Sequence, residues 1–157
     1  MMAFDASGVS GALLGWTFGG MRVRSFARAA LQPGALVPSA LQANIVRPAE
    51  VQDAVARVAA ELGLRRTPVT VVAPQGVARL LLLDLPPGVD AAEFARFRFA
   101  SLPYPASEAV VDVLPLRNGQ AVAAAMRRLV VEDYESVAAA AGIDQERLDL
   151  TSLAALG

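Results

Sequence analysis

The segment from Pro48 to Pro74, "PAEVQDAVARVAAELGLRRTPVTVVAP", limits the fold more than any other part of this chain. Two periodicities stand side by side in it. Val51, Val55, Val58 and Leu62 recur at helical spacing, behind a proline suited to a first turn and ahead of the stop signal Gly63. "PVTVVAP" is β-branched and almost wholly apolar, which suits a central strand covered on both faces. A one-sided helix feeding a two-sided strand calls for a layered α/β fold, because neither element can bury its apolar surface alone.

Upstream, "MAFDAS", "GVSGALLGWTF" and "GGMRVRSFARAAL" read as three strands joined by short turns, the second turn at Gly19-Gly20. Strict alternation in the third places Arg22, Arg24, Phe26 and Arg28 on one face and Met21, Val23, Ser25 and Ala27 on the other. "LQPGALVPSALQANIV" is an irregular connection, since Pro33-Gly34 and Pro38 oppose a helix. Downstream, "GVARLLLLDLP" is a strand and "GVDAAEFARFRFASL" a helix, with Asp90 and Glu93 spaced as a capping box. Phe94 and Phe97 share a helix face and are expected in the core. Phe99 follows Phe97 by about 200° and points away from that core. "AVVDVLPL" and "QAVAAAM" are strands around an Asn118-Gly119 hairpin turn. "RRLVVEDYESVAAAAG" is a helix with Val130, Tyr134, Val137 and Ala141 inward, and "ERLDLTSLAALG" a strand with a first helical turn. The order predicts a mixed sheet rather than a regular βαβ array, with a boundary near Pro74 to Pro87.

Composition removes several chemistries. The chain has no cysteine and no histidine, so disulfides, thiol nucleophiles, imidazole bases and the usual zinc ligands are excluded. All basic residues are arginine, and the net charge of −1 offers no overall field to nucleic acid. Hydrophobic residues make up 55% of the chain, enough for a sizeable core. No charge-free run supplies the roughly 18 consecutive apolar residues of a membrane span, and Asp5 stands where a signal peptide needs a basic region. The expected location is the cytoplasm, without direct membrane insertion.

No dinucleotide fingerprint, Walker lysine or nucleophile elbow is present. "FDASGVSG" could offer backbone N–H groups and hydroxyls to a phosphate, with Asp5 reaching a metal through water. The same residues also suit a plain hairpin turn with local Asp and Ser bonds. Glu132, Asp133 and Glu135 lie in the first turns of a helix, where carboxylates favour the positive dipole end.

"LDLPPGVDAAEFARFRFASLPYPASEAVVD" resembles the signature of the PilM family, actin-like cytoplasmic proteins of type IV pilus assembly. Pro86, Pro87, Pro103, Tyr104, Glu108 and Asp112 fall in register with it. Downstream Ala141, Gly142 and Asp149 match, and "AFDASGVSGALL" resembles the family's phosphate loop. Two departures weaken the nucleotide case: Ser7 replaces the loop glycine, and the lysine usual in the second strand is absent. The family is about twice this length, so the resemblance covers its N-terminal half only.

The resemblance implies an α/β fold, the actin-like (ribonuclease H-like) first half: a mixed sheet with an inserted small α/β subdomain. Residues 1–75 and 143–157 would form subdomain IA and residues 76–142 subdomain IC. Asp5, Ser7 and Gly8 would be a phosphate-loop remnant. No cofactor is expected on this chain alone, ATP and Mg being expected only in a full-length relative. The implied function is a non-catalytic scaffold, peripheral to the inner membrane through its partner, that docks the N-terminal tail of a PilN-like protein. Arg96, Arg98, Phe99, Pro103 and Tyr104 are the expected partner-binding residues, and self-association is expected. The alternatives are the cytoplasmic actin-like domain of a type II secretion L-type protein, or half of an actin-like ATPase.

Overall fold

A computed structural model describes residues 1–64 and 67–151. The tail of "ERLDLTSLAALG" beyond Thr151, and any helical turn in it, lies outside the described residues. Strands β1 (Met2–Asp5), β2 (Gly8–Thr17) and β3 (Gly20–Ala30) form an antiparallel meander. Helix α1 (Pro48–Leu62) and β4 (Pro68–Ala73) follow, and β4 pairs parallel with β1. β5 (Ala78–Asp84), α2 (Ala91–Arg98), β6 (Ala109–Pro115) and β7 (Gln120–Arg127) make a second unit. Helix α3 (Arg128–Ala140) and β8 (Asp144–Leu150) return the chain to the first sheet. The five-stranded sheet has the order β3-β2-β1-β4-β8, and the three-stranded sheet β5-β7-β6.

α1 ends as its sequence dictates. Gly63 takes a left-handed conformation, φ 67°, and Leu64 N–H bonds the Ala59 carbonyl at 2.9 Å. Its stripe of Val51, Val55, Val58 and Leu62 is buried, each side chain contributing about 1.5–3 kcal/mol. α1 and α3 pack on the same face of the large sheet, which carries Met2, Phe4, Val71 and Ala73. Phe4 meets Tyr134 of α3 edge-on, with ring centroids 5.4 Å apart. This core extends to Val77, just before β5, and to Met126 in β7, so the small sheet is rooted in the large one.

The irregular connection is pinned rather than loose. Asn44 is fully buried, and its Nδ2 donates to the carbonyls of Ser39 and Gln42, each at 2.8 Å. Its Oδ1 accepts from Ser39 N–H at 2.9 Å and from the Tyr134 hydroxyl at 3.3 Å. Asp133 accepts from the Asn44 and Ile45 N–H groups at 2.5 and 3.3 Å. Asp133 thus holds the loop, beyond the dipole role expected for it.

Two expectations about sidedness fail. In β3 the register slips between Leu13 and Leu14, which oppose Ser25 and Val23, leaving Arg24 as the extra residue of a bulge. Phe26, Val23 and Met21 therefore share one face with Ala12, Leu14 and Trp16, while Arg22 opposite Gly15 lies on the other. In α2 the aromatic assignments are reversed. Phe97 is 75% exposed and Phe99 only 4%. Phe99 packs with Ala95, Leu83, Ala123 and Ala125 in a second, smaller core. The central strand β7 offers only alanines there, so the helix must fill the volume above it. Asp90 caps α2 by accepting Glu93 N–H at 2.7 Å.

Candidate functional site

β7 pairs Val122 with Leu82 and Leu114, Ala124 with Leu80 and Asp112, and Met126 with Ala78 and Val110. Directly opposed residues share a sheet face. This face of the small sheet is therefore apolar except at Asp112 and at the end pair Asp84 and Gln120. The other face carries Leu81, Ala123, Val111 and Val113 and is covered by α2.

The uncovered face borders a groove of about 610 Å³. Its walls are β6 and β7 on one side and β8 on the other, with Val131 and Glu135 of α3 between them. β6 and β8 are each the last strand of their sheet. The groove thus runs between two strand edges, the geometry that accepts an extended peptide by main-chain pairing. On each edge an aspartate occupies one backbone donor. Asp112 Oδ1 accepts Val113 N–H at 2.9 Å, and Asp149 Oδ1 accepts Leu150 N–H at 2.8 Å. Such local bonds blunt an edge against non-specific strand addition. Arg147 pairs with Asp149 at 3.5 Å. With Asp112, Glu135 and Asp149 against Arg147, the lining is net acidic.

The expected partner-binding residues lie elsewhere. Arg96 and Arg98 are exposed on the last turn of α2, on the far side of the small sheet from the groove. Phe99 is core and presents nothing to a partner. Pro103 is exposed and Tyr104 half-buried, and burial raises the Tyr104 hydroxyl pKa despite nearby Arg127. Arg127 bonds Glu108 at 2.7 Å and donates to the Leu41 carbonyl, tying this turn to the pinned connection. Tyr104 and Glu108 thus lie beside Arg127 at the junction with the pinned connection. Of the residues matched to the pilus-family signature, Asp112 and Asp149 are the two that meet at the groove.

The β1–β2 turn satisfies itself. Asp5 Oδ1 accepts the Ser7 N–H at 2.7 Å and the Ser7 hydroxyl. Arg28 donates to Ser7 Oγ at 2.6 Å and pairs with Asp5 at 3.5 Å. Burial pushes the Asp5 carboxyl up, but the Ser7 bonds and Arg28 outweigh it and hold the pKa below the ordinary value. Gly8 is required by packing: a Cβ there would lie 2.6 Å from the Ala29 carbonyl oxygen. The Asp5, Ser7 and Gly8 cluster so has the bonds of a plain hairpin turn. Among the described residues no group of acidic side chains is arranged to hold a metal, and no helix is long and apolar enough to cross a membrane.

No family model matches this sequence, and no curated protein matches it. Solved structures do. Over 99% of its length the chain is similar to a chain of the PilM-PilN type IV pilus biogenesis complex, with TM-score 0.73 and 20% identity. Over 94% it is similar to the cytoplasmic domain of EpsL, an inner membrane component of the type II secretion system of Vibrio cholerae, with TM-score 0.61 and 14% identity. It spans 48% and 55% of those chains, about half their length. The shared architecture is the actin-like mixed α/β fold with two sheets that the sequence predicted.

Proposed function

We propose that this chain is a non-catalytic docking module of a type IV pilus or related secretion platform, and that the groove between β6 and β8 receives an extended segment of a membrane-anchored, PilN-like partner. The observation that carries this reading is the pairing of an apolar groove with two free strand edges. A peptide needs such edges for its backbone and such walls for its alternate side chains, and no reacting groups. Likeness to a chain of a PilM-PilN complex supports the choice of partner. The acidic lining favours a segment carrying a basic group, in place of the acidic anchor that Arg96 and Arg98 would select. In this reading the large sheet with α1, α3 and β8, and the small-sheet unit from β5 to β7, are the two subdomains flanking the groove. ATP would have no role in the interaction.

Calorimetric titration with a synthetic peptide copying the N-terminus of the PilN-like partner tests the proposal. Binding should weaken by about 1.5–3 kcal/mol in Asp112→Asn or Asp149→Asn if either carboxylate holds the basic group. Arg96→Ala and Arg98→Ala should leave it unchanged. A folded protein that ignores the peptide sinks the reading. Likeness to the EpsL cytoplasmic domain favours a second reading, an L-type component of type II secretion. That reading predicts that the groove ignores a pilus-type tail and takes one from a secretion-system partner.

A further inference from the structure

The β2–β3 hairpin outruns the sheet. β1 pairs with β2 only as far as Gly11, and Met1 O adds one bond to Ala12. From Leu13 to Thr17, about 17 Å at strand rise, β2 has β3 as its single neighbour. A two-stranded ribbon is marginal by itself in water. This one is also apolar on its outer face: Leu14, Trp16, Met21, Val23 and Phe26 share that face, and all are exposed. Trp16 is 76% exposed, and Phe18 stands at the tip with nothing over it.

The charge of the segment is one-sided. From Ala6 to Ala49 the chain has four arginines and no aspartate or glutamate. Arg28 pairs with Asp5 and Arg47 with Glu50. Arg22 and Arg24 lie on the opposite face of the ribbon, Arg22 across from Gly15 and Arg24 folded over it, and form no ion pair among the described residues. A second copy would bring the same arginines and no acid, so pairing β3 with itself sets like charges across the seam. An anionic surface meets both features at once. Aromatic residues favour the headgroup level of a bilayer, and long arginine side chains on the other face of a ribbon that enters by its tip reach the phosphates.

We propose that the β2–β3 hairpin is a peripheral membrane contact that enters tip first: Phe18 with Trp16 and Met21 reaches the headgroup region of an anionic bilayer, and Arg22 and Arg24, on the other face of the same ribbon, hold lipid phosphates. This requires no spanning segment. It revises the expectation of no direct membrane insertion only to the depth of a hairpin tip lying in the interface. It also stands apart from the groove, which is built by other strands.

Trp16 is the only tryptophan, so its fluorescence reads the contact directly. The 157-residue protein is mixed with vesicles of phosphatidylcholine, or of phosphatidylcholine with phosphatidylglycerol at about 30 mol%, a bilayer carrying the anionic charge that attracts basic segments. The expected result is a blue shift with the anionic vesicles only, quenching by brominated acyl chains, and reversal by salt. Arg22→Ser with Arg24→Ser should weaken partitioning by about thirty-fold, from the usual gain per basic residue near an anionic surface. Phe18→Ser, at an exposed tip, should reduce it without unfolding. Unchanged Trp16 emission at millimolar anionic lipid, with the protein folded by circular dichroism, overturns the proposal. So does a blue-shifted emission without lipid that tracks a dimer in sedimentation, since a second copy then covers the face.

Discussion

Replacing Asn44 with alanine removes the buried side chain through which the connection between β3 and α1 accepts the Tyr134 hydroxyl of α3. The magnitude follows from the bonds lost. Ser39 N–H and the Ser39 and Gln42 carbonyls lie near the surface, where water recovers part of the loss, leaving about 1 kcal/mol. The Tyr134 hydroxyl is fully buried and would be left without its acceptor, at about 1–3 kcal/mol. Asn44→Ala should therefore cost about 2–4 kcal/mol. Tyr134→Phe alone should cost about 1 kcal/mol, because Asn44 Oδ1 keeps the Ser39 N–H. The double variant removes the orphaned hydroxyl and should cost less than the sum by about 1 kcal/mol or more. Urea unfolding followed by circular dichroism measures all three, with an unchanged m-value as the condition for comparison. Additive effects, or an Asn44→Ala cost below about 0.5 kcal/mol, would show that the hydroxyl does not depend on Asn44, and the argument from burial would fail.

The other predictions need simpler measurements. Phe99→Ala should destabilise by about 3–5 kcal/mol and Phe97→Ala by no more than about 0.5 kcal/mol in thermal melts; equal effects would contradict the assignment of faces. Burial and the Asp133 charge raise the Tyr134 pKa, so the native state keeps a proton that the unfolded chain releases above about pH 10. Stability should be fully present below that pH and fall above it, and Tyr134→Phe should flatten the alkaline limb. The lowered Asp5 pKa acts at the other end: its contribution is present above the ordinary carboxylate range and lost as pH falls through the native value. Asp5→Asn should accordingly lessen the acid sensitivity of the melting temperature.

The elements were legible because their signals are local. Pro48, Gly63, Asp90, Asn118 and Gly142 each mark a boundary through backbone chemistry that needs no distant partner, and the structure uses each of them there. Sidedness was legible only where periodicity ran unbroken, as in α1. The β3 bulge depends on how Leu13 and Leu14 meet the neighbouring strand, which no alternation within β3 can reveal. The choice between the Phe94/Phe97 and Ala95/Phe99 faces depended on the alanine floor of β7, set some 25 residues later. The groove left a partial trace. "AVVDVLP" is apolar on both faces, yet the segment supplies only one helix to cover them, so one face had to stay bare. That Asp112 and Asp149 meet there is a product of topology.

The bulge gives β3 a spare residue. Losing one codon inside a paired strand ordinarily turns every side chain beyond the gap to the opposite face. Here the ladder already passes over Arg24, with Ser25 and Val23 opposite the adjacent Leu13 and Leu14. A chain lacking Arg24 would keep each pairing and each facing, and would lose one charge and the local bend. In the currency of heredity, this is a strand with one position where a deletion reads as a straightening rather than a frameshift of its surface.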